Sequence, residues 1–95
     1  MKQRILIIED VPEMANLVSM YLQKADMETE TCGSAELGLE ALKRQLPDLI
    51  ILDLNLPGMS GFDFLKRLRQ EYTAAIPVII VSARDADEDI IKGKI

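Results

Sequence analysis

The chain has no histidine, a single cysteine and no surplus of positive charge, and each shortage closes off a class of function. Without imidazoles, and with Cys32 as the one thiol, a zinc or copper site has too few of the ligands those metals favour. A lone cysteine also excludes an internal disulfide, and Cys32 reads as a small buried hydrophobe. The net charge of −5 and the pI of about 4.6 argue against a grip on nucleic acid or on an anionic membrane, both of which need a basic footprint. Long apolar runs are missing too. Met1-Lys2-Gln3-Arg4 starts like a signal sequence, but Glu9 and Asp10 end the apolar run after Ile8, short of the roughly 7 to 15 residues a signal core requires. The expected compartment is therefore the cytoplasm.

Ninety-five residues, 48% of them hydrophobic, suffice for one domain with one core, residues 1–95. Short apolar runs alternate with helical patterns along it. Ile5 to Ile8 reads as a first strand. Pro12 suits the first turn of a helix, and Met14, Leu17, Val18, Tyr21 and Leu22 recur at threes and fours, predicting one apolar stripe turned to the core. Glu28 to Cys32 reads as a second strand. Ser34 is a candidate N-cap for a second helix reaching about Gln45, with Ala35, Gly38, Leu39 and Leu42 toward the sheet. Leu49 to Leu52 forms a third strand, Pro57-Gly58 and Gly61 mark a shaped loop, and a third helix is expected from Phe62 to about Glu71. Val78 to Val81 forms a fourth strand ending at Ser82, and Asp87-Glu88-Asp89 favours the start of a fourth helix.

Strands separated by helices at this spacing imply right-handed crossovers and a doubly wound parallel α/β sheet. In the flavodoxin-like strand order, 2-1-3-4, the first strand lies between the second and third and next to the switch point where ligands bind. Glu9, Asp10, Asp53 and Ser82 then gather at the carboxyl edge. Two carboxylates about 4 Å apart repel by roughly 4 kcal/mol at an effective dielectric near 20, so the cluster calls for a cation between them. Oxygen-only ligands select Mg²⁺. Plainer duties are available: Asp10 suits a helix N-cap ahead of Pro12, Glu9 a solvated position, and Ser82 a bond to its own loop.

With these residues in order, Glu9-Asp10 after strand one, Asp53 opening Asp53-Leu54-Asn55-Leu56-Pro57-Gly58-Met59-Ser60-Gly61, and Ser82 after strand four, the chain resembles the receiver domain of two-component response regulators. The likeness runs from about Arg4 to about Lys92. It implies that Asp53 accepts a phosphoryl group from a sensor histidine kinase or phosphotransfer protein, with Glu9, Asp10, Asp53 and the backbone carbonyl of Asn55 on Mg²⁺. Ser82 would hydrogen-bond the phosphoryl group and act as the switch, and the exposed face of the first helix would meet the kinase. Such a domain is a switch, not a multi-turnover enzyme.

The sequence departs from the family at its end. A receiver continues with a fifth strand carrying a lysine that pairs with the phosphoryl group, an aromatic switch residue and a fifth helix. Here the sequence stops before strand five, and Lys92 and Lys94 fall in or just after the fourth helix. The expectation is a receiver short of one cation, with strand four as an exposed edge open to self-association by edge pairing or segment exchange. A dimerising interaction module without phosphorylation is thus the chief alternative. A haloacid-dehalogenase-type phosphatase needs a second acid where Asn55 stands. A nucleotide-binding loop needs glycines where Glu9-Asp10-Val11-Pro12-Glu13 would repel phosphates.

Overall fold

A computed structural model describes residues 2–72 and 75–81. Within them the chain order is β1 (Arg4–Ile8), α1 (Pro12–Lys24), β2 (Glu28–Cys32), α2 (Ala35–Arg44), β3 (Leu49–Asp53), α3 (Gly61–Glu71) and β4 (Val78–Val81). The strands pair in parallel in the order β2-β1-β3-β4, the doubly wound, flavodoxin-like arrangement expected. The predicted fourth helix at Asp87-Glu88-Asp89 lies outside the described residues, as do Ser82, Lys92 and Lys94.

Alternation along the strands divides the core into two layers. Leu6, Ile8, Ile50, Leu52, Val78 and Ile80 form one cluster with Ala35, Ala41 and Leu42 of α2 and with Phe64 and Leu68 of α3. Ile5 and Ile7, equally buried, point to the opposite face, where α1 packs on β1 and β2. Cys32 is buried beside this core, as its sequence context suggested.

The apolar stripe of α1 is only partly the one predicted: Val18 and Leu22 are half-buried, but the other three residues named are not. Met14, Leu17 and Tyr21 are exposed, and Ala15 is the buried residue of the helix, flanked by half-buried Val18, Ser19 and Leu22. Two adjacent stripes satisfy the helical period, and the one containing small residues lets the helix approach the sheet. A polar pin sets that choice: Ser19 Oγ and Thr29 Oγ1 of β2 are 2.6 Å apart. The exposed stripe, with Leu17, Met20 and Tyr21, lines a shallow surface groove together with Lys24. On β4, Ile79 and Val81 are 43% and 36% exposed, so among the described residues that edge strand keeps one face uncovered.

Helix ends follow their caps. Ser34 Oγ accepts from Leu37 N at 3.1 Å and Ser60 Oγ from Asp63 N at 3.1 Å, which starts α3 at Gly61, one residue earlier than predicted. The α2 helix stops at Arg44, one residue short of the expected Gln45. At the amino edge of the sheet, Glu30 is held between Arg4 and Arg44, and Asp48 Oδ2 accepts the Arg4 N–H at 2.8 Å. Glu28 and Glu30 there have cationic partners.

Candidate functional site

Parallel pairing of Ile8 with Leu52 brings the residues that follow each of them side by side on the carboxyl edge. Glu9 and Asp10 leave β1 there, while β3 runs one residue further than predicted and ends with Asp53 itself, opposite Val81. One carboxylate oxygen from each of Glu9, Asp10 and Asp53 lies within 4.8 Å of the other two. The three acids named from the sequence therefore meet.

The plainer duty of Asp10 falls away, because the N-cap of α1 is Val11 and no side chain caps that helix. Glu9 is not simply solvated either: its Oε2 accepts the Val11 N–H at 3.1 Å. Burial pushes its carboxyl above the ordinary value; the Val11 N–H opposes this, and the neighbouring charges of Asp53 and Asp10 add to the rise. Asp53 is only 7% exposed, and its Oδ1 accepts the Asn55 N–H at 3.0 Å. Beside it, Asp10 lines an open cleft of about 450 Å³ with Leu54, Asn55, Leu56, Pro57 and Ser60.

Among the described residues no lysine or arginine forms an ion pair with these three acids, in contrast to Glu30 at the other edge. The donor set fits a hard cation. Oxygens bound about 2.1 Å from one octahedral Mg²⁺ lie about 3.0 Å apart when cis and about 4.2 Å when trans, so carboxylates within 4.8 Å of one another reach a shared ion with side-chain movements of up to about 1 to 2 Å.

The loop after Asp53 is shaped by two glycines. Gly58 has φ +73°, a left-handed conformation that costs a residue with a Cβ about 1 kcal/mol or more. Gly61 is needed for close approach: a Cβ there would stand 2.8 Å from the Asp53 carbonyl oxygen and 2.8 Å from Leu54 Cα. Its N–H donates to Leu54 O at 3.3 Å, closing the loop at its base. Sequence reasoning assigned both glycines to a turn and missed a third participant, Glu36 of α2, whose Oε2 accepts the Met59 N–H at 3.3 Å. Nothing in the local pattern of α2 could have marked that contact, which depends on how α2 and α3 pack. Ser82 lies outside the described residues.

An open parallel α/β sheet in which three carboxylates converge where its central strands end defines a domain of the flavodoxin-like class. Comparison with known proteins narrows the class: the response regulator receiver domain matches residues 5–94, and the chain belongs to that family. It is 40% identical over 89 residues to the probable transcriptional regulatory protein TcrX of Mycobacterium tuberculosis, covering 94% of this chain and 38% of that protein. The chain thus spans about two fifths of the length of such curated relatives. Among solved structures, the N-terminal domain of a response regulator receiver protein from Methanoculleus marisnigri superposes with a TM-score of 0.82 at 31% identity, over 86% of this chain and 68% of that one. TrrA from Thermotoga maritima, solved in complex with Mg²⁺-BeF, gives a TM-score of 0.80 at 32% identity, over 87% and 70%.

Proposed function

We propose that this receiver domain is a phosphorylation switch in which Asp53 takes a phosphoryl group from a phosphohistidine of a sensor kinase or phosphotransfer protein, or from a small phosphodonor. The observation that carries this reading is the convergence of Glu9, Asp10 and Asp53 from the ends of two adjoining strands. Glu9, Asp10, Asp53 and the Asn55 carbonyl would hold Mg²⁺, and the TrrA complex with Mg²⁺-BeF supports that assignment by similarity. When bound, the ion supplies the positive charge that offsets repulsion between the acids and the phosphoryl oxygens.

The chain's own residues do the rest. An Asp53 carboxylate oxygen attacks phosphorus in line, an O–P bond forms as the donor's N–P bond breaks, and the donor imidazole leaves with its electron pair and takes up a proton. The Asn55 N–H on Asp53 Oδ1 fixes the orientation of the carboxylate, so little reorganisation is needed as the bond forms. The domain holds the product as an acyl phosphate and acts through protein contacts, as a switch rather than a multi-turnover enzyme. A cytoplasmic location belongs to the same proposal; among the described residues no helix is long and apolar enough to cross a membrane.

Incubation with acetyl phosphate and Mg²⁺ is expected to add one phosphoryl group by intact mass, and Asp53→Asn to abolish the gain. The exposed edge at Ile79 and Val81 favours one second reading, a self-associating interaction module that is never phosphorylated. Light scattering on the same samples separates the two. A stable dimer with no mass gain would establish the module and defeat the switch.

A further inference from the structure

We propose that Glu36, on the first turn of α2, is a positioning residue for the cation and phosphoryl site, acting through the loop between β3 and α3. The inference rests on the functional reading above and adds to it a residue from a different element. The loop starts from a fixed base, where Asn55 N donates to Asp53 Oδ1 at 3.0 Å and Gly61 N donates to Leu54 O at 3.3 Å. Its far end is reached from α2. Glu36 Oε2 accepts the Met59 N–H at 3.3 Å and lies so near Gly58 that a Cβ on that glycine would stand 3.0 Å from it.

Three features make this contact consequential. Gly58 sits at φ +73°, so the chain turns sharply just before Met59, and an acceptor held in place there fixes the direction of the turn. Met59 is partly buried against the core cluster, which aims its N–H. Glu36 itself is set by a capped helix start, with Leu37 N on Ser34 Oγ at 3.1 Å and Gly38 N on Ser34 O at 3.0 Å. The path from Glu36 to the site is short: Met59, Gly58, Pro57, Leu56, then Asn55, whose carbonyl is an assigned cation ligand. Without the carboxylate the loop tip loses its tether to α2, and the Asn55 carbonyl samples directions away from the ion.

A Mg²⁺ titration followed by backbone amide NMR, run on the wild-type chain, Glu36→Ala, Glu36→Gln and Asp10→Asn, tests this. Loss of this solvent-exposed hydrogen bond, long at 3.3 Å, is expected to weaken Mg²⁺ affinity about fivefold in Glu36→Ala, the scale of one ordinary net hydrogen bond. Glu36→Gln, which keeps an acceptor oxygen but not the charge, is expected to return within about twofold of wild type. Gln behaving like Ala would mean that Glu36 acts through its charge alone and would overturn the proposal, as would wild-type affinity in Glu36→Ala. If the wild-type chain, like Asp10→Asn, shows no Mg²⁺ response, the functional reading fails, and amide exchange in the same samples decides the loop role. Faster exchange at both Met59 and Asn55 in Glu36→Ala supports positioning; a change at Met59 alone refutes it.

Discussion

Mg²⁺ at about 100 times its Kd is expected to raise the Tm of the wild-type chain by about 10 to 20 °C at fixed ionic strength. Binding at that ratio stabilises the fold by about 2.7 kcal/mol, and each kcal/mol moves the midpoint of a domain this small by about 4 to 8 °C. Asp10→Asn is expected to lose about half of that response or more, since removing a ligand oxygen costs at least the roughly 10- to 100-fold seen for outer-shell changes. The same variant should be more stable than wild type without metal. Carboxylate oxygens within 4.8 Å of one another repel by about 3.5 kcal/mol at an effective dielectric of 20, and solvent in the open cleft screens this to about 1 kcal/mol. Opposite signs with and without Mg²⁺ distinguish a cation site from an ordinary acidic surface. A thermal melt with and without the ion checks both signs.

The acid cluster also gives the metal-free fold a pH dependence. Burial, assisted by the charges of Asp53 and Asp10, raises the pKa of Glu9, so folding favours its protonated form. That contribution is complete below the unfolded pKa and is lost as pH rises through the folded value. Metal-free wild type is therefore expected to lose stability relative to Glu9→Gln across that window, as chemical denaturation at a series of pH values would show.

Gly61→Ala is expected to destabilise the fold by about 2 kcal/mol, lowering Tm by about 10 °C, and to weaken Mg²⁺ binding as well. Ordinary helix propensity would favour alanine, so the sign is informative. The added methyl would meet backbone, at 2.8 Å from both Asp53 O and Leu54 Cα, and no rotamer change can relieve such a contact. Either α3 or the end of β3 must shift, and the second carries Asp53 with it. Gly33→Ala is the control: nothing lies within 4 Å of its added Cβ, and its effect is expected to stay within about 0.5 kcal/mol. Denaturant unfolding with a parallel Mg²⁺ titration compares them.

Much of this architecture could be read from the residues because local signals and tertiary demands agree. The apolar run Leu49 to Leu52 is a central strand with Ile50 and Leu52 buried in the core and Leu49 and Ile51 half-buried, so its apolar run alone was enough to find it, and the acid after it had to fall on the carboxyl edge. Asp53 proved to be the last paired residue of that strand, a shift of one position that left its place at the site unchanged. The α1 stripe was half right: Val18 and Leu22 are half-buried as expected, but Met14, Leu17 and Tyr21 match the helical period as well as Ala15 and Ser19 do. Only the Ser19 to Thr29 contact with β2 separates them. The Glu36 tether was illegible for a related reason: a hydrogen bond between residues 23 apart leaves no periodic trace.

The central claim is that Glu9, Asp10 and Asp53 share one divalent cation. Anomalous diffraction from crystals of the chain soaked in Mn²⁺, a scatterer that takes the same oxygen ligands, tests it directly. A single strong peak is expected between the three carboxylates, within about 2.3 Å of an oxygen of Asp10 and of Asp53. A peak elsewhere on the surface, or none at that cluster, would contradict the account.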